Sequence, residues 1–138
     1  AVFDELDWVD ATIGGSVAYY AGNLPRVVLQ WLAKRRRASR IVLFADSDAV
    51  GLDNYRRLKE AVGDAAEFWL MPQWRSLVER YGNRTIWENN VDLFESACKA
   101  LAVSAPEDPV HDLIEVLAHH GMMLEQEAVV IPISDQHP

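Results

Sequence analysis

The chain has one cysteine, Cys98, in 138 residues. That excludes an internal disulfide and any cysteine-rich zinc site, and it fits a reducing, cytoplasmic compartment. The expected role of Cys98 is that of a small buried hydrophobe. No apolar run approaches the ~20 residues that span a bilayer, so no membrane partner is expected. The opening AVFDELDWVD is acidic and lacks both a basic n-region and an initiator Met, which points to a piece cut from a longer protein rather than to a signal peptide. Walker A, GxSxG, HExxH and GxGxxG patterns are all absent.

What is present is a soluble-domain composition, 50% hydrophobic and 25% charged, at a length that fits a single domain over residues 1–138. The net charge of −8 argues, taken alone, against a polyanion partner. The charge is unevenly placed, however. Between Leu24 and Arg40 lie Arg26, Lys34, Arg35, Arg36, Arg37 and Arg40 and no acid, whereas the stretch from Leu101 onward has acids and no Lys or Arg. One basic and one acidic face are expected.

Along the chain, Val2–Trp8 reads as a short helix and Val17–Tyr20 as a short buried strand, closed by Ala21-Gly22-Asn23. Leu24, Val27, Val28, Trp31 and Leu32 recur at helical spacing behind Pro25, which suits a first turn. Ile41–Ala45 is continuously apolar, as in a strand covered on both faces. Leu52, Tyr55, Leu58 and Val62 mark a helix ended by Gly63, and Phe68–Met71 a strand stopped by Pro72. This alternation predicts an α/β fold, a Rossmann-like parallel sheet of roughly four strands flanked by helices. Helices are expected at Trp74–Tyr81, Asn90–Val103 and Val110–His120, the last ended by Gly121, and an edge strand at Val129–Ile131.

Asp46 and Asp48 follow the apolar strand, where open parallel sheets bind ligands. Two carboxylates at i, i+2 can turn toward one point and offer the hard oxygens that Mg²⁺ or Mn²⁺ requires. The alternative is plain capping, with Asp48 starting the next helix. Gly22 and Gly51 each follow a strand, where a bare backbone admits a phosphate or a tight turn. Arg26, Arg56 and Arg57 are candidate contacts to a phosphodiester backbone. The run Lys34–Arg37 reads first as a solvated helix end. Glu125 or Glu127 can add a further carboxylate at the sheet edge, against the alternative of a surface loop. His111, His119 and His120 lack metal-site spacing, and the tryptophans read as core or as contacts to absent parts.

In order, Tyr19-Tyr20-Ala21-Gly22-Asn23-Leu24-Pro25, the apolar Ile41–Ala45 and Asp46-Ser47-Asp48-Ala49-Val50-Gly51-Leu52 resemble the Toprim domain of the topoisomerase VI A-like branch. The ending Leu124-Glu125-Gln126-Glu127 is similar to that of the nuclease subunit, JetD or MksG, of Wadjet-type, MukBEF-like SMC plasmid-defence systems. The resemblance covers about Val2 to Ile131. It implies a metal-dependent DNA endonuclease module with Mg²⁺ on Asp46 and Asp48, and with Glu127 or Glu125 as a further acid. DNA and SMC-like subunits are the implied partners, with a homodimer formed through other parts of the parent protein.

Two positions depart from the pattern. Ala49 or Val50 stands where relatives often carry Pro. The Toprim glutamate is expected about five residues before a phenylalanine like Phe3, which puts it just upstream of Ala1; Glu5 is out of register for that role. The competing readings are a topoisomerase VI A-type strand-breaking subunit, an inactive Toprim scaffold, a HAD-like phosphohydrolase and a receiver-like domain. A HAD-like fold normally opens on its D-x-D strand, whereas here a strand and a helix are expected before it.

Overall fold

Pro25 fixes the backbone ahead of α1 (Arg26–Ala33), where a missing N–H costs nothing. After a short loop β1 (Ile41–Leu43) runs into α2 (Ala49–Val62), whose end is set by Gly63 at φ 61°. A single 3₁₀ turn leads to β2 (Ala66–Phe68), parallel to β1 with Ile41 opposite Ala66 and Leu43 opposite Phe68. Then come α3 (Trp74–Tyr81), α4 (Arg84–Ser104) and α5 (Val110–His120). The protein's structure, a computed structural model, describes residues 15–125. It is a mixed α/β fold, mainly helical, with a two-stranded parallel sheet among those residues.

Helix ends follow local chemistry. The Asn83 side chain accepts a hydrogen bond from the Ile86 N–H at 3.2 Å, so α4 starts six residues before the expected Asn90. Gly121 ends α5 at φ 59°, a left-handed cap that glycine adopts without Cβ strain. The core is built on α2 against α4. Leu52, Tyr55 and Leu58 of α2, Phe94, Ala97 and Leu101 of α4 and Leu113 and Leu117 of α5 are all buried. Each of the leucines and Phe94 contributes roughly 1.5–3 kcal/mol by leaving water. Among the described residues no helix is long and apolar enough to cross a membrane.

Several expectations are corrected. Residues 16–20 form no strand: they carry no regular secondary structure, and Val17 and Tyr19 are 60% and 69% exposed. A strand needs a backbone ladder, and the one ladder among the described residues joins β1 to β2. The helix at Leu24–Leu32 forms, but its buried face is Leu29 with half-buried Leu32, while Val27, Val28 and Trp31 are exposed. With apolar residues almost all round RVVLQWLA, periodicity did not define one face. β1 is not covered on both faces, since Val42 is exposed. β2 lies two residues upstream of Phe68–Met71, although the Trp69 N–H still donates to the Leu43 carbonyl. The expected elements Val2–Trp8 and Val129–Ile131 lie outside the described residues.

Candidate functional site

The chain leaves β1 through Phe44, Ala45 and Asp46 and turns at Asp48 into α2. Asp48 is extended, with φ −138° and ψ −177°, and its carboxylate accepts the Gly51 N–H at 2.7 Å. The capping reading of Asp48 is therefore realised. Burial pushes its carboxyl above the usual carboxylate range, against the opposing effect of the Gly51 and Val50 N–H groups. A carboxylate desolvated in this way gains from a nearby cation. Asp46 is half-buried beside it.

Ser47, between the two acids, is buried and tied to the far end of the chain. Its N–H donates to the Leu124 carbonyl at 2.9 Å, and the Leu124 N–H donates back to the Ser47 carbonyl at 3.0 Å. The pairing is a single antiparallel bridge, so Glu125 follows it on one segment and Asp46 precedes it on the other. The Asn83 N–H likewise donates to the Met123 carbonyl at 2.7 Å, which fixes the same segment from its other side. Met123 and Leu124 are buried and Glu125 is exposed. Of the two expected further acids, Glu125 follows Leu124 directly in the chain and is exposed, and Glu127 lies outside the described residues. Among the described residues no three His, Cys, Asp or Glu side chains converge as a metal-holding group. The donor set still suits Mg²⁺, which keeps several waters and takes one or two protein carboxylates.

The two glycines differ in role. Gly51 lies in the first turn of α2, where an added Cβ would be driven into the Asp46 carbonyl oxygen. Its bareness serves helix-to-strand packing rather than a phosphate cradle. Gly22, at φ 64°, sits in the loop before α1, and its carbonyl accepts from Asn54 Nδ2 at 2.9 Å. Asn54 Oδ1 accepts the Leu24 N–H at 2.8 Å. Buried Asn54 is thus the clamp that holds the Gly22 loop on α2, six residues after Asp48. It also hydrogen-bonds the Tyr20 hydroxyl. Burial raises the Tyr20 pKa, the Asn54 bond opposes this, and the charges of Asp46 and Asp48 raise it further. The reading of the sequence missed Tyr20, Ser47 and Asn54 as site members. The one available signal was Asn54, an amide beside the apolar stripe of α2. Gly51→Ala is expected to lower stability by about 2 kcal/mol through overpacking, read as a lower urea midpoint with an unchanged slope.

The basic candidates separate. Arg56 is neutralised by Asp53 at 2.9 Å and Glu60 at 2.6 Å, so it is an intrahelical ion-pair residue rather than a free phosphate contact. Arg57 reaches Asn54 Oδ1 at 3.4 Å, and Arg26 is exposed at the start of α1. His111 Nε2 lies 2.8 Å from the Ala105 carbonyl, and His119 stacks edge-on against His120, as expected of packing residues. Comparison of the chain with family models, curated proteins and solved structures finds no match in any of the three.

Proposed function

We propose that the chain is a Toprim-like catalytic module that hydrolyses DNA phosphodiesters with a divalent metal held by Asp46 and Asp48. One observation carries this reading: two half-buried carboxylates stand at the carboxyl end of a parallel strand, and the Ser47–Leu124 pairing brings the segment that leads into Glu125 to the same edge. The four-stranded parallel sheet of a Toprim fold is part of the proposal, with β1 and β2 as the strands that the described residues supply. The plasmid-defence setting, with SMC-like subunits and a homodimer, rests on the resemblance of the sequence motifs.

Mg²⁺ bound here would stabilise charge on the scissile phosphate and lower the pKa of a coordinated water. Asp46 and one Asp48 oxygen would hold the ion, since the other Asp48 oxygen accepts from Gly51. Glu125, which follows the Ser47–Leu124 bridge, would supply an outer carboxylate that orients metal-bound water. Burial raises the Tyr20 pKa, so its hydroxyl would stay a hydrogen-bond donor beside the two acids. Hydrolysis by a metal-activated water is the proposed reaction.

A second reading, an inactive scaffold, is favoured by the use of Asp48 as a cap and by the lack of a third converging ligand among the described residues. The test is nicking of supercoiled plasmid by the full-length protein carrying this chain, in Mg²⁺, Mn²⁺ or EDTA. Cutting in either metal and none in EDTA is the expected result. Absence of cutting with and without SMC-like ATPase subunits would leave the scaffold reading.

A further inference from the structure

The groove at the opposite, amino end of β1 has no role in the chemistry above. It encloses about 380 Å³ between the carboxyl end of α1, the start of β1 and the end of α2. Arg35, Arg36 and Arg37 line it, and Asp64 is the one acid on its wall. We infer that this arginine groove is a second DNA contact, a seat for the phosphodiester backbone of duplex flanking the cleavage site. This rests on the proposed nuclease function but concerns a separate surface.

The side chains are disposed for an anion. Lys34 and Arg35 have no side-chain hydrogen-bond or ion-pair partner among the described residues, and both are exposed. Arg36 spends only Nε, on the Ala38 carbonyl at 3.4 Å, which leaves both terminal nitrogens to donate. Arg37 lies 4.0 Å over the Trp31 ring and bonds the Trp31 carbonyl through Nε and Nη2, so its remaining Nη1 is held in a fixed direction. Arg40, by contrast, is closed off by its two 2.7 Å bonds to Glu67.

The net charge of −8 does not forbid this. Exposed charges farther away than about 8 Å are largely screened at physiological salt, so a phosphate senses the local cluster. Ile41, which lines the groove, opens β1, and Asp46 follows the other end of the same short strand, so a duplex bound at the acidic end has the groove beyond the strand's start. An acidic protein segment would meet the same charges, and competition between the two separates them.

The test uses the full-length protein, a labelled 30-base-pair duplex of arbitrary sequence and a titration with salt upward from about 50 mM. The Arg35→Gln variant changes a groove side chain with no internal partner among the described residues, so it leaves the thermal midpoint unchanged. It is expected to bind about threefold more weakly, with the slope of log affinity against log salt reduced by about 0.9 for one lost phosphate contact. Arg36→Gln/Arg37→Gln should add to the loss. Unchanged affinity and slope in both variants would overturn the inference, as would a wild-type protein that captures poly-glutamate in preference to the duplex. Asp46→Asn separates the two ideas. If that variant binds the duplex normally but does not cut, both stand. If groove variants weaken binding while even the wild type never cuts, the groove stands and the nuclease reading fails.

Discussion

Asp46→Asn is expected to lower metal-dependent plasmid nicking about a thousandfold, which corresponds to about 4 kcal/mol of transition-state stabilisation. The size follows from what a carboxylate at the end of β1 does. In the proposed site it would anchor the ion that offsets charge on the phosphate, and an amide of the same shape offers a neutral oxygen in its place. Asp48 permits a sharper experiment because its carboxylate caps α2 and, in the proposed site, would also hold the metal. Asn caps a helix about as well as Asp. Asp48→Asn should therefore keep the Gly51 N–H bond and the stability of α2 while cutting activity by a similar factor. Asp48→Ala should lose both, with about 1 kcal/mol of stability in addition. Full activity in Asp48→Asn with a lowered melting point in Asp48→Ala would make Asp48 a cap alone and would remove it from the metal site. Added Mn²⁺ should raise the melting point of the wild type and not of Asp46→Asn, a readout that does not depend on cutting.

The order of elements from β1 to α5 was legible because local rules decide it. Gly63 and Gly121 end helices by the backbone freedom that a positive φ demands, and Leu52, Tyr55 and Leu58 face the core at helical spacing. The Asp46-Ser47-Asp48 turn was legible for the same reason, as an acidic break after an apolar run. What was not legible depended on long-range contacts. Val17–Tyr20 has a strand's composition, yet Tyr20 is held through the Asn54 side chain. Ser47 looks like a spacer between two acids, and only its pairing with Leu124 reveals it as the point where the distant acidic segment joins the site. Gly51 was read as a possible phosphate seat, but its neighbour is the Asp46 carbonyl, a packing fact set by how closely α2 approaches the end of β1. Arg56 seemed free to meet DNA, yet Asp53 and Glu60, one turn before and after it, consume its charge; that i, i+3 and i, i+4 spacing was readable and was passed over.

The largest loss of stability is expected away from the site, at Asp108. This nearly buried carboxylate joins α2 to the loop before α5. It accepts the Tyr55 hydroxyl at 2.6 Å and the Val110 N–H at 3.0 Å, and it pairs with Lys59 Nζ at 3.0 Å. Asp108→Ala strands a mostly buried ammonium and leaves the Tyr55 hydroxyl only the weaker 3.3 Å bond to the Ala66 carbonyl. The expected cost is about 3 kcal/mol, seen as a melting point lower by roughly 10 °C. Asp108→Asn should cost less, because the amide oxygen can still accept from Tyr55 or Val110. The same network sets the pH limits of the fold. Burial raises the Asp108 pKa, but the bonds from Tyr55, Val110 and Lys59 outweigh it and hold the carboxyl below its ordinary value. A depressed pKa means that the unfolded chain binds the proton more readily, so this contribution is present above about pH 4 and is lost as pH falls through the folded value. Burial, first, and then the Asp108 bond and charge raise the Tyr55 pKa. There the folded state keeps the proton longer, so stability falls as pH rises above about 10. Urea midpoints measured across pH should therefore decline at both ends in the wild type. Asp108→Ala should flatten the acid limb, and an acid limb of unchanged steepness in that variant would show that other carboxylates govern it.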